Sequence, residues 1–304
     1  MDARSALFDL YGDHLRSRGA QAPVAALVRL LASIGITAPA VRTAISRMVR
    51  QGWLEPVRVS AGAGYALTPR ATRRLDEAAE RIYSRGNHDW DGGWHLVVVE
   101  RVRERTRRER VQASLRYLGY AQLDETTWLS PRPSPELQGL REAERIRVEP
   151  FAARYDGDPR GLLARAWDLD GLARAYLGWL AEARELIAPV SPVAGHPSGP
   201  ESPAVGHLSS PESPAVGHPS SPERTVPDEV IFAARSKLVH EWRKFLFRDP
   251  GLPAELLPDE WPGLAAAEFF NVESARLLPA ASRFVDCCLR AADGRSAHRP
   301  EARQ

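Results

Sequence analysis

Val41-Arg42-Thr43-Ala44-Ile45-Ser46-Arg47-Met48-Val49-Arg50 is the stretch that decides the fold and its outward chemistry. Val41, Ile45, Met48 and Val49 recur at intervals that place them on one side of an α-helix. Arg42, Thr43, Ser46, Arg47 and Arg50 take the other side. Pro39 suits a first helical turn, Thr37 a cap and Gly52 a stop, so the spacing predicts a helix over 39–51. Its outer face then presents guanidiniums, which bind guanine edges bidentately or pair with phosphates, and hydroxyls, which suit either role.

Working outward, Leu7, Phe8, Leu10, Tyr11 and Leu15 give an apolar helix face over 4–15, and Leu27, Val28, Leu30 and Leu31 give another over 24–32. Downstream, 53–59 reads as a strand, Ala61-Gly62-Ala63-Gly64 as a tight return and 65–67 as a second strand, before a fourth helix from Thr68-Pro69 to about Tyr83. Three short helices followed by a hairpin is the winged helix-turn-helix order, in which the third helix enters the major groove. Arg58 on the first strand joins Arg42, Thr43, Ser46, Arg47 and Arg50 as a candidate DNA contact. Arginines on an arbitrary helix are more often a solvated face. Here the hairpin and the charge balance favour contact: residues 1–87 carry 13 Arg against 7 Asp and Glu, whereas the whole chain nets only +2.

The 304 residues suit several domains, and 43% hydrophobic with 26% charged residues is a soluble globular composition. The sequence has no apolar run near the ~20 residues that cross a bilayer and no signal-peptide core at its start, so a cytoplasmic protein without membrane contact is expected. Cys287 and Cys288 are adjacent, which suits neither a disulfide framework nor a zinc site. No metal, cofactor or catalytic residue is expected.

Residues 88–190 mix strands (94–100, 121–123, 127–129, 145–151) with a basic helix over 105–118 and a helical stretch over 160–187, which suggests a ferredoxin-like α+β domain. Glu100 at the first strand's end would be the metal-holding carboxylate of the alternative function, a nuclease, but no second acid is well placed beside it. Residues 191–223 are three 11-residue copies of Ser-Pro-x-x-Gly-His-x-Ser-x-Pro-Glu with eight prolines, read as a disordered linker extending to 227. Residues 228–292 read as a C-terminal helical domain with helices over 229–246, 265–277 and 279–289, and 293–304 as a disordered tail. Asp249-Pro250-Gly251-Leu252-Pro253 is expected to shape a rigid turn.

Phe8-Asp9-Leu10-Tyr11-Gly12, the segment 41–48, Gly52-Trp53-Leu54 and the C-terminal Phe247-Arg248-Asp249-Pro250-Gly251-Leu252-Pro253, with Leu256-Leu257-Pro258 and Trp261-Pro262-Gly263, resemble the PaaX family of bacterial repressors. The resemblance spans nearly everything outside the 191–223 repeat. It implies a winged helix, a middle domain similar to the CRISPR-associated ferredoxin-fold nuclease, and a helical C-terminal domain. It also implies a homodimer on palindromic double-stranded operator DNA and release by an aryl-acyl-CoA, with phenylacetyl-CoA the prototype. Such an effector needs cations for its phosphates and an apolar slot. The candidates are Arg101 with its neighbours, or His240, Trp242, Arg243 and Arg248, although Trp242 also reads as core. A C-terminal domain that binds a protein partner instead is the other alternative.

Overall fold

The computed structural model describes residues 1–83, 90–191 and 226–296; the 191–223 repeat falls almost wholly outside these residues. Helix α1 (Ala3–Leu10) opens on Asp2, whose carboxylate accepts from the backbone N–H of Arg4 at 2.9 Å and Ser5 at 3.1 Å. The helix expected to run to Leu15 instead widens into a π-type turn over Tyr11–Leu15 and tightens over Arg16–Arg18. The wider turn rotates the side chains that follow it. Three residues, β1 (Gln21–Pro23), then form a strand that was not foreseen, because so short a segment shows no alternation. Helices α2 (Val24–Ala32) and α3 (Ala38–Arg50) follow, then β2 (Leu54–Val59), β3 (Gly62–Leu67) and α4 (Pro69–Tyr83). The three strands pair antiparallel in the order β1-β3-β2. Strand β3 starts at Gly62, earlier than expected. Gly64 permits the close approach of β1: a Cβ there would lie 2.7 Å from the Ala22 carbonyl oxygen.

The middle of the chain runs β4 (Gly93–Val99), α5 (Arg105–Tyr117), β5 (Ala121–Gln122), β6 (Thr127–Ser130), α6 (Leu137–Glu144), β7 (Val148–Arg154), an α+β unit of βαββαβ order. Its antiparallel sheet is ordered β5-β6-β4-β7. Alternation along β4 divides the sheet's two faces. Val97 and Val99 pack with Val111 and Leu115 of α5 and Leu137 and Leu140 of α6. Trp94 and Leu96 face the other way, toward Leu163. Helix α6 went unread because its eight residues carry only two buried leucines.

The stretch expected as one helix over 160–187 breaks at Trp167 into α7 (Pro159–Ala166) and α8 (Leu169–Ile187). Asp168 restarts the helix by accepting from the Gly171 N–H at 2.8 Å. Beyond Leu169, which packs against the second face of the sheet, helix α8 shares its apolar side with α9 (Asp228–Arg243) and α10 (Pro262–Ser296), so the helical unit gains residues that the sequence groups with the middle domain. The two helices expected over 265–277 and 279–289 are one, continuous through Pro279. An interior proline costs about 3 kcal/mol through its missing N–H and ring clash. Burial of Leu277, Ala280, Ala281 and Phe284 on both sides of it offsets that cost. The helix also carries into the expected tail.

The N-terminal helices do not close their core alone. Leu7, Leu10, Leu27, Leu31 and Ile45 pack in one cluster with Phe232 of α9 and Ala281, Phe284 and Val285 of α10. Truncating Phe232 to Ala, at 1% exposure, is expected to cost about 3–5 kcal/mol. Denaturant titration of the full chain checks this; a loss under about 1 kcal/mol would mean that the seam is not packed.

Candidate nucleic-acid interface

Helix α3 buries Val41, Ala44, Ile45 and Met48, and so exposes Arg42, Thr43, Ser46, Arg47 and Arg50 together on one outer face. Thr37 occupies the N-cap position, but its hydroxyl makes no capping bond. Arg58 is exposed on β2, one strand of the hairpin that turns at Ser60–Ala61. Among the described residues none of Arg42, Arg47, Arg50 and Arg58 has a carboxylate partner. The arginine run near α5 behaves differently: Arg101 pairs with Glu125, Arg105 with Glu109 at 2.8 Å, Arg107 with Glu100 at 3.9 Å and Arg110 with Glu144 at 3.2 Å. Partners within the fold therefore largely neutralise the middle arginines, while those of α3 keep their donors for an outside acceptor. Glu100 is exposed, and the described residues hold no cluster of three or more His, Cys, Asp or Glu that could grip a metal.

A polar seam ties α1 and the π-type turn to α9. Arg235 of α9, only 3% exposed, donates from Nε to the Ser274 carbonyl at 2.9 Å and from Nη1 to Asp13. His14, 1% exposed, lies 3.4 Å from the same guanidinium and 3.2 Å from Asp13. Burial holds the His14 pKa down to about 4, against the opposing pull of Asp13. One turn away, Asp9 receives His240 Nδ1 at 2.7 Å and the Arg243 guanidinium. Tyr11 donates to the Tyr65 carbonyl at 2.8 Å, tying the π-type turn to β3.

The residues expected to hold an effector's phosphates are thus not assembled. His240 and Arg243 are committed to Asp9, and Arg101 sits with Glu125 near the middle sheet. Trp242 lies in an aromatic core, its ring centroid 4.7 Å from that of Trp179 and 4.8 Å from that of Phe270. Arg248 is exposed beside the Asp249 turn. That turn docks the helical body onto the middle sheet. Asp249 accepts the Gly251 N–H at 2.7 Å and the Tyr176 hydroxyl. The following Leu252 and Leu256 cover the second face of the middle sheet. Gly119, at φ +89°, meets Pro250 so closely that a Cβ would lie 2.7 Å from its carbonyl oxygen. The Asp9, Asp13 and Arg235 contacts were missed by sequence reasoning, which saw only the cation-rich side of the pairing.

Fold and surface together define an α+β protein in which a small unit with a basic outer face is mounted on a helical body, beside a central sheet. The chain matches the PaaX-like protein model over residues 2–71, the PaaX protein central Cas2-like domain over 87–161 and the PaaX-like protein C-terminal domain over 212–287. It belongs to the PaaX family. It is 26% identical over 289 residues to the transcriptional repressor PaaX of Escherichia coli strain K12, covering 92% of this chain and 82% of that protein. A solved structure, the uncharacterized protein Rv0674 from Mycobacterium tuberculosis, shares the fold with a TM-score of 0.58 at 22% identity, covering 94% of this chain and 98% of that one.

Replacing Arg235 by Met takes the guanidinium away from the buried Asp13 carboxylate and is expected to cost about 3–5 kcal/mol, most of it recovered when Asp13→Leu is added. Denaturant titrations of the single and double variants measure this; equal losses in both would refute the pairing. His14 predicts an acid-side loss as well. An unfolded histidine titrates near 6.5, so below that pH the unfolded chain takes up a proton that the folded chain refuses until about 4. Stability is therefore full above about 6.5 and falls by up to roughly 3 kcal/mol on approaching pH 4. His14→Gln should flatten this part of the pH profile, and an unchanged slope would show that other groups set it.

Proposed function

We propose that the chain is a DNA-binding transcriptional repressor whose N-terminal unit is a winged helix-turn-helix. In this reading α2 and α3 form the helix pair, α3 enters the major groove, and the β2–β3 hairpin is the wing. The observation that carries it is the outer face of α3, where Arg42, Arg47 and Arg50 stand exposed without carboxylate partners among the described residues, with Thr43 and Ser46 between them. Three arginines kept away from internal acids match a polyanion, and their spacing along one helix matches a groove. Membership of the PaaX family and the repressor name of the Escherichia coli relative support the same reading.

The finer parts of the proposal follow from the family resemblance. The repressor acts as a homodimer on a palindromic operator, and an aryl-acyl-CoA such as phenylacetyl-CoA releases it. What supports a surface for a second copy in the central unit is that, among the described residues, no strand pairs with the outer edge of β7, and Phe151, 51% exposed, stands on the same face as exposed Val98. A protein acting on the bacterial chromosome works in the cytoplasm.

Fluorescence anisotropy with DNA from the region upstream of its own gene tests the reading. Arg47→Ala should weaken specific binding by about 1–3 kcal/mol if Arg47 grips a guanine, while Arg101→Ala should leave it unchanged. Binding that ignores both sequence and salt would sink the proposal. Sedimentation of the free protein tests the dimer.

A further inference from the structure

Helix α4 leaves the N-terminal unit tied closely to the end of α3. Thr68, the residue before it, donates from its hydroxyl to the Gly52 carbonyl at 2.8 Å, just past α3, and accepts from the Ala71 N–H at 3.3 Å. The Arg70 guanidinium lies 4.7 Å from the centre of the Trp53 ring, Arg16 pairs with Asp76 at 2.8 Å, and Leu75 is buried in the N-terminal core. Among these anchors Arg74 reaches across to the central unit. It donates to Glu136 at 2.5 Å and lies 4.9 Å from the centre of the Tyr117 ring on α5. Glu136 occupies the N-cap position of α6 but makes no capping bond there; its carboxylate goes to Arg74 instead. Tyr117 in turn packs on Phe247 of the helical body, with ring centroids 5.4 Å apart. A cleft of about 770 Å³ opens beside these contacts, bordered by Arg74, Tyr117, Glu136, Gly139 and Pro250.

The other route from α3 to the central sheet has two joints in series, the polar seam to the helical body and the Asp249 turn from that body to the sheet. Small rotations at two joints add, and a loop is the softer kind of joint. A third contact that closes the triangle removes that freedom. A partly exposed ion pair contributes little to stability, because water competes for both charges. Pairing with a carboxylate while lying over a ring, however, fixes a guanidinium's plane as well as its place. We propose that Arg74 is a positioning residue that sets the angle between α3 and the central unit, and with it the half-site spacing that a dimer accepts. The second part rests on the dimeric, DNA-binding role proposed above; the first rests on the contacts alone. Each base pair inserted at the centre of a palindrome moves its halves apart by about 3.4 Å and turns one against the other by about 35°. A rigid pair of units matches one spacing, and a loosened pair matches several.

Two readouts on the full chain test this. Electron–electron double resonance reads the angle without DNA, from spin labels on Gln51→Cys beside α3 and Glu142→Cys on α6. Both positions are exposed, and the labelled chain carries Cys287→Ser and is diluted with unlabelled protein. Arg74→Ala and Glu136→Ala should each broaden the distance distribution about twofold. Arg74→Glu, which sets two carboxylates against each other, should broaden it further, and adding Glu136→Arg should narrow it again. Single variants as narrow as wild type, or a double variant no narrower than Arg74→Glu, overturn the positioning role. The palindrome that footprinting defines upstream of the chain's own gene is then rebuilt with two base pairs inserted at its centre. Wild-type affinity should fall about thirtyfold and Arg74→Ala affinity about fivefold or less, with binding to an isolated half-site equal in the two chains. An equal penalty in both chains overturns the link to spacing. Weakened half-site binding by Arg74→Ala places the residue's effect inside the DNA-binding unit and overturns the proposal. No DNA binding by wild type, with label distances that still respond to Arg74, counts against the repressor reading and leaves the positioning role standing.

Discussion

Arg235 is a charge that the fold cannot leave alone. Its guanidinium is almost wholly buried on α9, and taking such an ion out of water costs several kcal/mol unless partners replace the solvent. The partners come from two places. Ser274 on α10 supplies a carbonyl, and Asp13 on the π-type turn supplies a carboxylate. The requirement to satisfy one arginine therefore fixes α9 against α10 and fixes both against the N-terminal unit. The neighbouring Asp9, with His240 and Arg243, adds a second polar tie, and the shared apolar cluster around Phe232 and Phe284 supplies the bulk of the attraction.

This arrangement gives the N-terminal unit a fixed orientation. Hydrophobic contact is non-directional and would tolerate small slides along the seam. Hydrogen-bonded ion pairs do not, because a displaced partner leaves a buried charge unpaired. The outer face of α3 is presented at a set angle to the helical body and, through it, to the central sheet. The Asp249 turn extends the same logic. Its backbone bend is held by Tyr176 and Gly251, and it delivers Leu252 and Leu256 to the second face of the sheet. The three units are thereby held together at a few specific points. The neutral, buried His14 makes the polar seam vulnerable to acid, since protonating it would place a new cation beside Arg235.

Much of this was legible in the sequence, for a local reason. Helix α3, its buried stripe and its basic face follow from a 3.6-residue period within ten residues, and the hairpin follows from short-range turn chemistry. The βαββαβ order was partly readable through β4 and α5, while β1 and α6 were too short to show a period. The helix through Pro279 was not readable, because local chemistry argues against it and only packing overrides that preference. Nor was the seam: Arg235 and Asp13 are 222 residues apart and His240 and Asp9 are 231 apart. No spacing rule reaches that far. The sequence by itself determined which faces are apolar and which are basic, because side-chain period is a property of the local chain. Only the tertiary structure decided which cations are spent inside and which remain on α3 for a partner, because that depends on which distant carboxylates the fold brings within reach.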